Sequence, residues 1–303
     1  MKLFSPSNLL QAVLALAVLQ LGCNLHAAPI PFGSSQIKVG TGTNAITVYT
    51  YKPKAYQDGP VLFVFHGVLR NARGYRDDCI AIADRYNLIL AAPLFDTNRF
   101  PSSAYQRGGV FKHGVLQAQT NWTYNLLPGI INDVRHREGN PKLPYYFIGH
   151  SAGAQFLMRL AVFSPLEARR IVVANPGSVL FPRRDWKFGY GFGGLPPELS
   201  DDAELQRYLG APLTLYLGTA DTDPQDPELD RSATAELEGH FRLERGRACF
   251  EYAQRLAQEH GWKFNWRKIE TSGVAHSAKT MFIVKEIGDA LFGAEKSVDS
   301  GAP

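Results

Sequence analysis

Three features of the 303-residue sequence predict an α/β fold, with a mostly parallel central sheet of about eight strands covered by helices on both faces. Short apolar runs such as VLFVFHG and PLTLYLG carry no alternating polar residues, as expected of strands buried on both sides. Segments of helical period lie between these runs, so strand and helix alternate along the chain. A composition that is 45% hydrophobic over this length can bury one large core.

Residues 1–27 read as a signal peptide. Lys2 precedes the apolar stretch LLQAVLALAVLQLG, residues 9–22, and Ala27 suits cleavage, leaving Ala28 first in the mature chain. The stretch is shorter than the ~20 residues that span a bilayer, which argues against a membrane anchor. A lipid-modified Cys23 is the third reading, and Gln20 sits where such sites usually carry an apolar residue. Export to a secreted or periplasmic, oxidising compartment is the expectation.

Residues 28–293 are expected to form a single domain. QIKVG and AITVYTYKP alternate as a hairpin does, and VLFVFHG, residues 61–67, is a buried central strand. RGYRDDCIAIADRYN reads as one helix leading to the strand LILAAPLF. The alternation continues through a helix near YNLLPGIINDVRH, the strand YYFIG, the helix AGAQFLMRLAVF and the strand RIVVANPG. A helix near DAELQRYL precedes the strand PLTLYLG, and CFEYAQRLAQEHG precedes KFNWRKIE. AKTMFIVKEIGDALF closes the domain as a helix, and residues 294–303, AEKSVDSGAP, read as a disordered tail.

The formal charge of +4 comes from 32 basic and 28 acidic residues scattered along the chain. Without a basic run, neither a nucleic-acid partner nor stable membrane association of the mature chain is expected.

Chemistry enters at Gly149-His150-Ser151-Ala152-Gly153, which fits G-x-S-x-G between a strand and a helix. A serine on that sharp turn sits at a helix N-terminus, where backbone N–H groups favour a developing oxyanion. A plain serine helix cap is the competing reading. The nucleophile reading demands a histidine and a carboxylate at later strand ends. LTLYLGTADTDP supplies Asp221 three residues after Gly218, with Asp223 and Asp226 as alternatives. ETSGVAHSAKTMF supplies His276 between the last strand and the last helix. The oxyanion donors would be the N–H of Ala152 and that of Val68, with Leu69 the alternative, in the loop FHGVLRNARGY. His66 reads as a buried, loop-fixing residue.

On these motifs the chain resembles a secreted α/β-hydrolase, most similar to the branch of polyhydroxybutyrate depolymerases, feruloyl esterases and dienelactone-hydrolase-like enzymes. The resemblance spans roughly residues 36–292 and rests on the HG loop, the G-x-S-x-G elbow, the G-x-x-D acid and the late histidine. It departs at Val68, where many depolymerases carry cysteine. The resemblance implies a Ser151–His276–Asp221 triad, an acyl-enzyme intermediate, and neither metal nor cofactor. The strand order of the family also implies that Cys79 and Cys249 lie on opposite faces of the sheet, as two buried free thiols rather than a disulfide.

Two long connections, residues 96–122 and 178–199, are expected to build the substrate site at the strand ends. Tyr105, Trp122, Trp186 and Tyr190 are the candidate lining residues, beside Phe188 and Phe192. The expected activity is hydrolysis of small or polymeric carboxylic esters. Acyl transfer or peptide cleavage by the same triad is the enzymatic alternative, and a catalytically inactive binding protein of the same fold is the non-enzymatic one.

Overall fold

The computed structural model describes residues 27–163 and 167–293. The signal-peptide and tail expectations fall outside these residues, except for Ala27. No described helix is long and apolar enough to cross a membrane.

The described residues form ten strands: β1 (Gly33–Val39), β2 (Ile46–Lys52), β3 (Val61–Phe65), β4 (Ile89–Pro93), β5 (Phe111–Lys112), β6 (Val115–Leu116), β7 (Tyr145–His150), β8 (Ile171–Ala174), β9 (Leu213–Gly218) and β10 (Arg267–Thr271). Eight of them form one sheet in the order β1-β2-β4-β3-β7-β8-β9-β10, and β5 with β6 makes a separate small hairpin. Within the large sheet β2 runs antiparallel to both β1 and β4, and every other pairing there is parallel. The sheet is therefore mostly parallel and eight-stranded, as the apolar runs predict.

Residues of β3 alternate between two cores. Val61, Phe63 and Phe65 face one, under the helices Leu126–Arg137, Ala152–Phe163, Asp202–Leu209 and Arg242–His260. Leu62 and Val64 face the other, under Ala72–Asp78, Ile80–Tyr86, Ala278–Ile283 and Ile287–Phe292. A strand covered on both faces needs apolar side chains at every position, which is why VLFVF is buried throughout. Cys249 lies in the first core and Cys79 in the second, both buried and free. The sheet stands between them, as expected.

Two segments expected to be single helices are each two. At Cys79 (φ −94°, ψ 0°) the chain turns between Ala72–Asp78 and Ile80–Tyr86. Val284 adopts extended backbone (φ −71°, ψ 155°) and separates the last two helices. Hydrophobic period is insensitive to one residue leaving helical geometry, so the pattern runs through both breaks. By contrast, the helix Arg242–His260 begins seven residues before the segment read from the sequence. It ends where expected, at Gly261, whose φ of 65° is the left-handed cap that glycine accepts without strain.

Register places the site. Phe65 pairs with Gly149, His150 with Ala174, and Gly218 with Thr271. The C-terminal ends of β3, β7, β8, β9 and β10 thus share one edge, and the loops that leave them meet there.

Candidate active site at the strand ends

Ser151 occupies the turn between β7 and the helix Ala152–Phe163 with φ 56°. For a non-glycine residue this left-handed backbone costs roughly 1–3 kcal/mol, and it persists because its surroundings over-determine it. The Ser151 N–H donates to Ala174 O at 3.0 Å, and Gln155 N–H donates back to Ser151 O at 3.0 Å. The flanking glycines explain the rest of the motif. A Cβ on Gly149 would lie 2.5 Å from Gly153 C, and one on Gly153 would lie 2.2 Å from Phe65 O. The helix therefore crosses against the β3 backbone, and nothing larger than hydrogen fits at the crossing. Gly153→Ala is expected to lower stability by about 1–3 kcal/mol. A urea midpoint equal to that of wild type would show that the crossing yields more easily than this geometry indicates.

The loop after β3 lies beside this turn. A Cβ on Gly67 would come within 3.9 Å of Ser151 Cβ. Arg70 N–H donates to Gly67 O at 3.2 Å and closes a turn that leaves the Val68 N–H outside that bond. Ala152 begins its helix, and a first-turn N–H has no acceptor within its own helix. Of the two oxyanion-loop candidates, Val68 is half-buried, whereas the Leu69 side chain is 83% exposed.

His66 fixes this loop from below. Its Nδ1–H donates to Gly67 O at 3.0 Å, its Nε2 accepts from Phe95 N–H at 3.1 Å, and its own carbonyl accepts from Tyr105 Oη at 2.8 Å. Both ring nitrogens are occupied in the neutral form, and burial pushes the imidazole down to about 4. His150, also buried, is pushed well below its ordinary value by burial, then by the adjacent His276 and Arg242 charges. In the unfolded chain both rings titrate near 6.5. The contribution of His66 is therefore complete above that value and is lost, about 3 kcal/mol in all, as pH falls toward 4, and His150 adds to the loss in the same direction. The urea midpoint should drop steeply across this window. A flat profile would mean that the rings are not held neutral.

Asp221 and His276 come together from different loops. The Asp221 N–H donates to Gly218 O at 3.1 Å, completing the turn after β9. Its carboxylate is 3% exposed, and Oδ2 accepts from His276 Nδ1 at 2.7 Å. The alternative acids are engaged elsewhere: Asp223 Oδ1 accepts from Gln225 N–H at 2.8 Å, and Asp226 Oδ2 accepts from Arg242 at 2.9 Å. The His276 ring also faces His150, with centroids 4.5 Å apart. Tyr75 Oη lies 3.3 Å from Nδ1 of His150.

Asn175 joins these loops and was not singled out in the sequence. At φ 42° on the end of β8, its Oδ1 accepts from Gly218 N–H at 2.8 Å and its Nδ2 donates to Ala275 O at 3.3 Å. One side chain thus links the serine's neighbouring strand to the acid loop and to the histidine loop. A polar residue ending the apolar run RIVVA, just before Pro176, was the available signal.

No protein-family model matches the chain, and no curated protein matches it by sequence. Two solved structures are similar throughout. Poly(aspartic acid) hydrolase-1 from Sphingomonas sp. KT-1 is 32% identical with a TM-score of 0.78, the match covering 83% of this chain and 96% of that one. The poly(3-hydroxybutyrate) depolymerase LpqC from Bordetella parapertussis is 30% identical with a TM-score of 0.77, covering 86% of this chain and 91% of that one. The chain belongs to the α/β-hydrolase family. An esterase from Pyrobaculum calidifontis, 13% identical at a TM-score of 0.50 over 96% of this chain and 92% of that one, shares the fold alone.

In this α/β hydrolase the two long loops do meet, but three of the four aromatic residues expected to line a substrate site are buried within the body. Tyr105 is fully buried, stacks on Phe95 and Phe156 and spends its hydroxyl on the His66 carbonyl. Trp122 is 5% exposed and donates its Nε1–H to Gln117 O at 3.1 Å. Tyr190 is 2% exposed, accepts from Arg107 at 2.9 Å and donates to Asp230, tying three loops together. Trp186 is half-buried against Phe181, with the Arg183 guanidinium 4.2 Å from its ring centroid. Phe192, at 1% exposed, is likewise core. These rings are large enough to pack a loop onto the body, and the polar atoms of Tyr105, Trp122 and Tyr190 are satisfied there. Between the loops lies instead a cavity of about 390 Å³ lined by Ser103, Arg107, Phe111, His113, Lys187 and Phe188 among others. Among the described residues, no group of three or more His, Cys, Asp or Glu side chains could hold a metal ion.

Proposed function

We propose that this hydrolase is an exported serine enzyme that cleaves carboxylic esters through an acyl-enzyme. One observation carries the reading: the strained Ser151 elbow and the Asp221–His276 hydrogen bond sit on the same sheet edge, in the chain order of the family's triad. With Nδ1 of His276 donating to Asp221, Nε2 is the nitrogen left to take the proton of Ser151 Oγ. Ser151 then attacks the acyl carbon, the N–H groups of Val68 and Ala152 hold the oxyanion, and His276 protonates the departing alcohol. Water, activated by the same imidazole, releases the acid. The apolar leader of residues 9–22 supports export.

A second reading, cleavage of an amide polymer, is favoured by the 32% identity to a poly(aspartic acid) hydrolase. Aryl esters of graded acyl length, poly(3-hydroxybutyrate) and poly(aspartic acid) should therefore be assayed side by side. Turnover of esters with none of poly(aspartic acid) supports the first reading, and the reverse pattern replaces it with the second.

A further inference from the structure

We propose that Arg242 is a positioning residue for the acid–base pair: a buried cation that holds Asp221 against His276 and, with Asp226, sets the net charge His276 meets when it takes a proton. The inference rests on the triad reading above and extends it to groups that no motif marks.

Arg242 is the first residue of the helix Arg242–His260 and is 1% exposed. Its Nη1 lies 3.4 Å from Asp221 Oδ1 and 2.9 Å from Asp226 Oδ2. Asp221 therefore offers one oxygen to His276, at 2.7 Å, and the other to Arg242. The next residue, Leu243, donates its N–H to the Asp221 carbonyl at 3.2 Å. The start of this helix thus grips the acid by backbone and side chain together, so the carboxylate cannot turn about its own bond.

The arrangement is costly, which argues against a casual ion pair. Nε and Nη2 of Arg242 are buried without a hydrogen-bond partner. A buried guanidinium left partly unsatisfied is destabilising unless its charge is compensated. Near a base that becomes cationic in the reaction, it also opposes that step. Asp226 supplies the compensation, and Arg242 in turn holds the Asp226 carboxyl down at about 2, so it stays ionised. With His276 neutral, Asp221, Arg242 and Asp226 sum to one negative charge, which the imidazolium cancels. Of the other groups near His276, His150, whose ring faces it, is kept neutral by burial, and Tyr75, 3.3 Å from His150 Nδ1, has its hydroxyl pushed up chiefly by burial and so stays neutral too.

Opposite charge changes should therefore move the acid limb of the kcat/KM profile in opposite directions. Arg242→Gln leaves two carboxylates beside His276 and should move that limb to higher pH. Asp226→Asn leaves the guanidinium uncompensated and should move it to lower pH. Each shift should be roughly 0.5–1 pH unit. Arg242→Lys, which keeps the charge but not the planar fork, should restore the wild-type limb while kcat stays reduced. Phenyl acetate hydrolysis followed across the acid range is the assay.

A purely structural role would lower activity without opposed shifts. Limbs that superimpose on wild type, or that both move the same way, overturn the inference. If Arg242→Gln does not fold, Asp226→Asn on its exposed loop decides the matter: a downward shift supports the inference and an unshifted limb overturns it. Ser151→Ala is run in the same assay. Should it retain wild-type activity, the triad reading fails and this inference falls with it; should it be inactive while the limbs do not move, only the role of Arg242 is lost.

Discussion

Ser151→Ala is expected to lower kcat by about 10⁶-fold and to abolish labelling by a fluorophosphonate. The substitution keeps Cβ and changes only the hydroxyl, so the elbow geometry set by Gly149, Gly153 and the bond to Ala174 O remains. Stability should stay within about 0.5 kcal/mol of wild type, since alanine meets the same left-handed backbone as serine. A large loss of activity with no loss of fold would separate chemistry from structure. Oxyanion donors and binding would still leave a residual rate of about 10³-fold over water. A variant that retains a tenth of wild-type turnover, or that still takes the label, would exclude Ser151 as the nucleophile.

Asp221→Asn should be the second-largest effect, about 10⁴-fold in kcat. In the proposed mechanism its carboxylate, 2.7 Å from Nδ1 of His276, keeps the proton on that nitrogen and leaves Nε2 for the serine. An amide in that place can donate as well as accept, and so permits the opposite tautomer. Asp223→Asn should remain close to wild type, because the Asp223 carboxylate is engaged with its own loop through Gln225 N–H. If the two variants exchange behaviour, the acid has been assigned to the wrong residue.

Much of this arrangement is legible in the sequence because it lies at strand ends. G-x-S-x-G, Gly218 before Asp221 and Gly273 before His276 each mark where an apolar run stops and the chain must turn, and a parallel sheet brings those stops to one edge. What the sequence does not reveal is which rings of the long loops turn inward. Tyr105 ends a helix of only four residues and Trp122 lies between two short 3-10 turns, so neither has a period to assign it a face, and only tertiary packing buries them. Arg242 is equally hidden. In the sequence it is one more arginine, seven residues ahead of the segment read as a helix, and its meaning depends on Asp221 lying beside it in space. The breaks at Cys79 and Val284 escape for a related reason, since the apolar pattern on both sides of each is unchanged.

The two buried cysteines bear on how this enzyme can be made. Cys79 and Cys249 have the whole sheet between them, and burial raises both thiols well above their ordinary range, which suppresses the reactive thiolate. The described fold therefore has no oxidation step to complete and no pairing to get wrong. A chain beginning at Ala28 should reach the same stability under reducing as under oxidising conditions, and its melting temperature should not respond to dithiothreitol.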